Sequence, residues 1–326
     1  MTMLACYDPY DSDLQDFERF VADRCRQGSR GGLSSSAHDA RCLYLPKSDL
    51  VEFFRDEDRL LRILRYVMPN LENPLQCSDV LERIKEGDYY NVLAILLLIR
   101  RGNAIRSFIE DPDLSDEKLP FDNPKKFPGL AADPEFFHEF YSRQWMFCVR
   151  KLRYRRFVKL SADEILPYKI EQTLVPGASS KAFVITVDPD YNNLFSSNAG
   201  RLYTENHVRP HVHPNTFVLK SFENEIPDGK EQYDQELNSF ATLLHTGNGP
   251  NIVGFFGSFK HGDTFHILLE YANTGTLEEL MQTAPPTSPE DLYELWGALL
   301  QLLRALMTLH NLKFPSEDGS PSEGFM

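Results

Sequence analysis

Apolar residues recur along this chain with two different periods, and the change from one to the other divides it. In the first half the spacing is helical. Leu50, Phe53, Phe54, Leu60, Leu61 and Leu64 follow Ser48 and Asp49, which offer a helix N-cap, and Pro69 with Asn70 ends the run. Ser78 opens a second stretch with Val80, Leu81 and Ile84, then the apolar residues 92–99, then Ile105, Phe108 and Ile109. Gly87 and Gly102 divide it into shorter helices, and Asp111 with Pro112 stops it. Residues 26–38, rich in Gly and Ser, read as a flexible surface loop. Residues 111–134 carry Pro112, Pro120, Pro124, Pro128 and Pro134 with few periodic apolar positions, which predicts a linker or an extended wrap. A short helix follows Glu135, and the aromatic and β-branched content of 144–149 predicts a strand.

The second half reads differently. Residues 174–187 are β-rich around an interruption at Pro176, Gly177, Ala178, Ser179 and Ser180, and 216–222 predict another strand. A helix over 232–244 separates these from a strand pair, 252–259 and 264–271. The helix over 288–309 has the best-marked start, with Ser288 as N-cap, Pro289 at the first helical position and Glu290 and Asp291 where negative charge meets the dipole favourably. Leu292, Leu295, Trp296, Leu299, Leu302, Leu303 and Leu306 form its broad apolar face. The order of elements predicts an α+β fold with an antiparallel sheet.

Composition narrows the function classes. At 326 residues, 42% hydrophobic and 25% charged, the chain has the makings of two globular domains. A formal net charge of −14 disfavours nucleic acid and anionic membrane surfaces as partners, except through a local basic patch. Residues 150–157 (RKLRYRRF) are such a patch, and read either as a nuclear-import or nucleic-acid segment or as an exposed strand face or loop. The apolar run 92–99 is far short of the ~20 residues that span a bilayer. Asp8, Asp11 and Asp13 at the start do not resemble a secretory signal. Cys6, Cys25, Cys42, Cys77 and Cys148 contain no C-x-x-C pair, which favours a reducing interior. The expected location is intracellular, cytoplasm or nucleus, with no membrane association. His207, His211 and His213 have a spacing that could hold zinc only with a fourth ligand, so a solvated loop is the preferred reading and no metal site is assigned.

One arrangement stands above this background. Lys220 ends the run Phe217, Val218, Leu219 on a predicted strand, and Glu236 borders the apolar face formed by Tyr233, Leu237, Phe240 and Leu244 on the following helix. A Lys from a sheet and a Glu at the edge of a helix face can meet as an ion pair that leaves the ammonium placed to touch a phosphate. The alternative is an ordinary surface pair. Downstream lie Pro250, Asn251, Ile252 and Val253, then Gly257, Ser258 and Phe259, then FHILLEYA over 265–272, then Thr274, Gly275, Thr276 and Leu277, and finally the helix end at 299–310.

These segments, in this order, resemble the small lobe and the start of the large lobe of a protein kinase, of the divergent kind found in fungal kinase-like proteins. Gln144 and Trp145, with Glu164, Ile165, Leu166 and Pro167, resemble the segment that leads into such domains. The resemblance covers roughly residues 163–310 and implies a five-stranded antiparallel sheet with a C-helix, followed by D- and E-helices. It implies ATP with Mg as cofactor and Ser/Thr protein phosphorylation as activity. Lys220 would contact the α- and β-phosphates, Glu236 would fix that Lys, Leu269 would be the gatekeeper, and the backbone of Glu270, Tyr271 and Ala272 would hold adenine. Of the glycine-rich loop G-x-G-x-x-G-x-V, only the middle glycine, Gly177, is retained; Val175, Ser180 and Ala182 occupy the other motif positions. The sequence contains neither H-R-D-x-x-x-x-N nor D-F-G.

The expected organisation is a helical N-terminal region over 1–160, with a Pro-rich linker near 111–134, and a partial kinase-like domain over 161–326. That domain would be truncated before the catalytic loop and inactive alone. The rival expectation is a pseudokinase-type interaction module that binds a protein partner through the N-terminal helices or an exposed face of the E-helix.

Overall fold

The computed structural model describes residues 9–31, 42–69, 74–86, 88–128, 133–174, 180–195, 214–223, 228–246, 251–273 and 275–311. The chain forms two units, Met1–Lys151 with Asp163–Tyr168, and Leu152–Ala162 with Lys169–Met326.

The first unit is mainly helical: α1 (Pro9–Arg24), α2 (Lys47–Phe54), α3 (Glu57–Val67), α4 (Pro74–Glu86), α5 (Tyr90–Leu98), α6 (Ile105–Ile109) and α7 (Pro134–Gln144). At its centre lies α5, whose residues from Asn91 to Leu97 are all buried. A helix that is apolar on every side can be stable only when surrounded in this way. Its first turn carries backbone N–H groups with no helical acceptor, and the Asp116 carboxylate takes two of them, from Asn91 at 2.7 Å and Val92 at 2.8 Å. Burial pushes this carboxyl up to about 7, against the pull of those two donors.

Several expectations change here. The run 48–64 is two helices, because the Asp56 side chain accepts the Arg59 N–H and starts α3 afresh. The N-cap of α2 is Pro46, not Ser48 or Asp49. The Pro-rich stretch is a wrap rather than a linker: Leu114, Phe121 and Phe127 enter the core. There Phe108 lies 5.4 Å from Phe127 and 5.5 Å from Phe140, ring centre to ring centre. The strand expected from Gln144 does not form. Gln144 is the last residue of α7, fully buried, and its amide accepts the Phe121 N–H at 2.8 Å and donates to the Phe121 carbonyl at 3.1 Å. Nor is the start of the Gly/Ser-rich stretch a loop, since Arg26–Gln27 pairs with Leu43–Tyr44 and Ser29–Arg30 with Ile165–Leu166. Gly28 between them has no room for a side chain, because a Cβ would stand 2.5 Å from Ile165 Cγ2.

The second unit is built on a six-stranded sheet of β1 (Arg155–Leu160), β2 (Tyr168–Thr173), β3 (Lys181–Val187), β4 (Thr216–Phe222), β5 (Phe255–His261) and β6 (Thr264–Glu270), in the spatial order β1-β5-β6-β4-β3-β2. The β3–β4, β4–β6 and β5–β6 pairs are antiparallel. β1 joins the edge parallel to β5, so the sheet is mixed and has one strand more than expected. Part of the basic patch thus lies in an edge strand; Arg150 is ion-paired with Glu164 at 2.8 Å in the first unit. Helix α8 (Gly229–Thr246) packs on one face of the sheet, where Tyr233, Leu237 and Phe240 meet Phe222, Phe255, Phe265 and Ile267. The opposite face buries Phe217, Leu219, Phe256 and Leu268. After the sheet come α9 (Leu277–Thr283) and α10 (Pro289–His310). The α10 start is as expected: Ser288 accepts the Asp291 N–H at 3.0 Å, and the Asp291 carboxylate accepts the Ser288 N–H at 3.1 Å. Ala305 is the one buried residue of the helix, and most of its apolar face is exposed.

Candidate functional site

Strand geometry places Lys220 where its chemistry can be used. Side chains alternate across β4, so Val218, Lys220 and Phe222 share the face covered by α8, while Phe217, Leu219 and Ser221 point the other way. The α8 register, set by Tyr233, Leu237 and Phe240 against the sheet, leaves Glu236 at the border of the contact. Lys220 Nζ and Glu236 Oε2 meet at 2.5 Å. Their side chains keep 29% and 25% of their surface exposed, so the pair is only partly withdrawn from solvent. Nζ also lies 5.3 Å from the centre of the Phe222 ring, a second contact that favours the cation. In register, Lys220 stands opposite Ala182 on β3 and Ile267 on β6, and Val218 opposite Leu269. The half-buried Val218 and Leu269 give this face an apolar floor two residues from the cation.

The end of β6 and the two residues after it are the expected positions Glu270, Tyr271 and Ala272. Tyr271 is half-buried and Ala272 exposed. Glu270, buried to 4% exposure, closes a clamp in which its N–H donates to the Gly254 carbonyl at 2.8 Å and its carboxylate accepts the Gly254 N–H at 3.0 Å. A carboxylate at the end of an otherwise apolar strand was the available signal for this role. Gly177 and the three histidines His207, His211 and His213 lie outside the described residues. Among the described residues no group of three or more His, Cys, Asp or Glu could hold a metal ion.

Two further polar contacts around the sheet escape sequence reasoning. Lys181 pairs with Glu223 at 2.6 Å, one strand from Lys220. On the far face, Ser221 Oγ and His266 Nδ1 share a hydrogen bond of 2.8 Å, with the Phe259 ring stacked on the imidazole at 4.8 Å. Burial pushes His266 down to about 3, with His261 adding to the effect, so this imidazole is neutral at pH 7. The only trace of it in sequence is a histidine within the apolar run of β6.

A lysine fixed by a helix carboxylate over an apolar sheet face is an arrangement that can orient a phosphate next to a flat ligand. The chain is 33% identical over 105 residues to human dual specificity testis-specific protein kinase 1, a match covering 32% of this chain and 15% of that protein. It is 36% identical over 77 residues to mitogen-activated protein kinase kinase kinase ANP1 of Arabidopsis thaliana, covering 24% of this chain and 11% of that one. No family model matches the chain. Part of this chain is kinase-like. Its α+β organisation with a multi-stranded sheet is consistent with that, and the matches span about one seventh or less of each relative. No helix among the described residues is long and apolar enough to cross a membrane.

Proposed function

We propose that the second unit is the ATP-binding small lobe of a protein-kinase-like protein, of the divergent type found in fungi. The observation that carries this reading is the Lys220–Glu236 contact of 2.5 Å, beside an apolar floor of Val218 and Leu269. Lys220 would take the α- and β-phosphates, Glu236 would keep it in place, and the segment Glu270, Tyr271 and Ala272 would border adenine. The residues present fit a nucleotide phosphate, since the lysine is fixed and partly open. Bound ATP would supply the phosphoryl group for Ser/Thr phosphorylation. In this reading residues 1–326, with neither H-R-D-x-x-x-x-N nor D-F-G, lack the groups that orient the acceptor hydroxyl and hold magnesium, and are inactive by themselves. The cysteines fit an intracellular location, as none of Cys25, Cys42, Cys77 and Cys148 is in a disulfide.

The test is thermal stabilisation by Mg-ATP. A melting shift that needs magnesium and disappears in Lys220→Ala supports the proposal; no shift at millimolar ATP sinks it.

A second reading, a pseudokinase-type interaction module, is favoured by α10, where Tyr293 is 83% exposed and Trp296 and Met307 are each 63% exposed. In that reading a protein partner covers this helix face, or binds the N-terminal helices. Nucleotide would then leave the melting temperature unchanged, while Trp296→Glu would abolish binding of a partner that covers α10 and spare one that binds the N-terminal helices.

A further inference from the structure

The first unit contains a cavity of about 370 Å³ whose wall includes Ile99, Glu139, Arg143, Trp145, Met146 and Ile165. That volume lies within the range of small-molecule sites, roughly 300–1,000 Å³. What singles it out is a buried donor with no acceptor, beside a carboxylate oxygen that has a distant cation but no hydrogen bond. Trp145 is 4% exposed, and its indole N–H meets no acceptor among the described residues. A buried donor left in this state is rare in native proteins and destabilising unless something else accepts from it. Glu139 and Arg143 stand one turn apart on α7, a spacing at which opposite charges pair. They do not pair. The nearest cation to Glu139 is Arg101, whose Nε is 3.8 Å from Oε2, and that buried oxygen accepts no hydrogen bond. Arg30, also on the wall, is already committed to Asp163, with its Nε 3.0 Å from the carbonyl and Nη2 3.3 Å from the carboxylate.

The cavity therefore offers a neutral donor and a cation, a separate carboxylate, and an apolar wall of Ile99, Met146 and Ile165. A simple carboxylic acid would satisfy Trp145 and Arg143 but bring a second negative charge near Glu139. A simple amine would answer Glu139 and leave the indole unbonded. We propose that the cavity binds a free apolar α-amino acid as its zwitterion. Its carboxylate accepts from Trp145 Nε1 and Arg143, its ammonium donates to Glu139 Oε2, and its side chain lies against the apolar wall.

The experiment is isothermal titration of the full chain with L-leucine and L-methionine, alongside N-acetyl-leucine, which lacks the ammonium, and leucinamide, which lacks the carboxylate. Saturable binding of leucine or methionine is expected, weakened about tenfold or more when either charge of the ligand is removed. Trp145→Phe keeps a packed ring and deletes only the donor side of the indole; it should lower affinity about tenfold with an unchanged circular dichroism spectrum, and Glu139→Gln should do the same. No heat from either amino acid up to about 10 mM overturns the proposal. So does equal binding of either blocked derivative, or full affinity in Trp145→Phe. If Trp145→Phe fails to fold, the exposed Arg143→Gln takes its place, and unchanged affinity there overturns the proposal equally.

Discussion

Helices α5 and α10 are both rich in leucine, yet the protein uses them in opposite ways. Every residue of α5 from Asn91 to Leu97 is buried inside the first unit, whereas α10 in the second buries only Ala305 and leaves Leu300, Leu303, Leu306 and Met307 exposed. Apolar composition alone does not decide whether a helix is a core or a surface; what decides is whether other elements carry complementary apolar faces to it. In the first unit the wrap and α7 supply those faces, through Leu114, Phe121, Phe127 and Phe140. The two units differ in their buried titratable groups as well. The first holds a carboxyl, Asp116, pushed up to about 7, and the second an imidazole, His266, pushed down to about 3.

The largest expected effect tests the packing side of this contrast. Phe108→Ala, at the centre of the aromatic cluster of the first unit, should cost about 3–5 kcal/mol, measured by urea unfolding. Leu303→Ala on the exposed face of α10 should fall within about 0.5 kcal/mol of the parent. Similar losses at both sites would mean that α10 is covered in solution.

The next effect concerns pH, and the signs are opposite. His266 is neutral in the fold, so an unfolded chain takes up its proton first; the stability it confers is complete above pH 6.5 and is lost as pH falls from there toward 3. Asp116 holds its proton more tightly folded than unfolded; its contribution is complete below pH 3.8 and is lost as pH rises through about 7. Hydrogen exchange followed peptide by peptide, corrected for intrinsic rates, should show β6 losing protection in acid and the first turn of α5 losing it toward neutral pH. Asp116→Asn should flatten the second trend only, and His266→Gln the first only. A common slope in both regions would show that these two residues do not govern it.

A smaller effect is expected at the Glu270 clamp. Glu270→Gln keeps an acceptor for the Gly254 N–H but removes its charge, and should cost about 1–2 kcal/mol in urea unfolding. The smallest belongs to the Lys181–Glu223 pair, which is partly exposed: Glu223→Gln should change stability by about 0.5 kcal/mol or less.

What the sequence determined by itself is local. Ser288, Pro289 and Asp291 mark the start of α10 because a helix cap is made by residues three apart, and the helical spacing of Tyr233, Leu237 and Phe240 puts Glu236 at the edge of its face. Alternation along β4 places Lys220 with Phe222 in the same way, so the Lys220–Glu236 contact was legible in the sequence. The tertiary structure decided whatever depends on residues far apart in the chain. Residues 155–160 could have been a loop, and only pairing with β5, about a hundred residues on, makes them an edge strand. The prolines of 111–128 punctuate a linker and a wrap equally well; the choice was made by Phe108 and Phe140, which offer rings to Phe121 and Phe127. Gln144 looked like the start of a strand until the Phe121 backbone, 23 residues before it, took both ends of its amide. Caps and periodicity are satisfied within one turn or one strand, while burial, sheet edges and cavities exist only once distant segments meet.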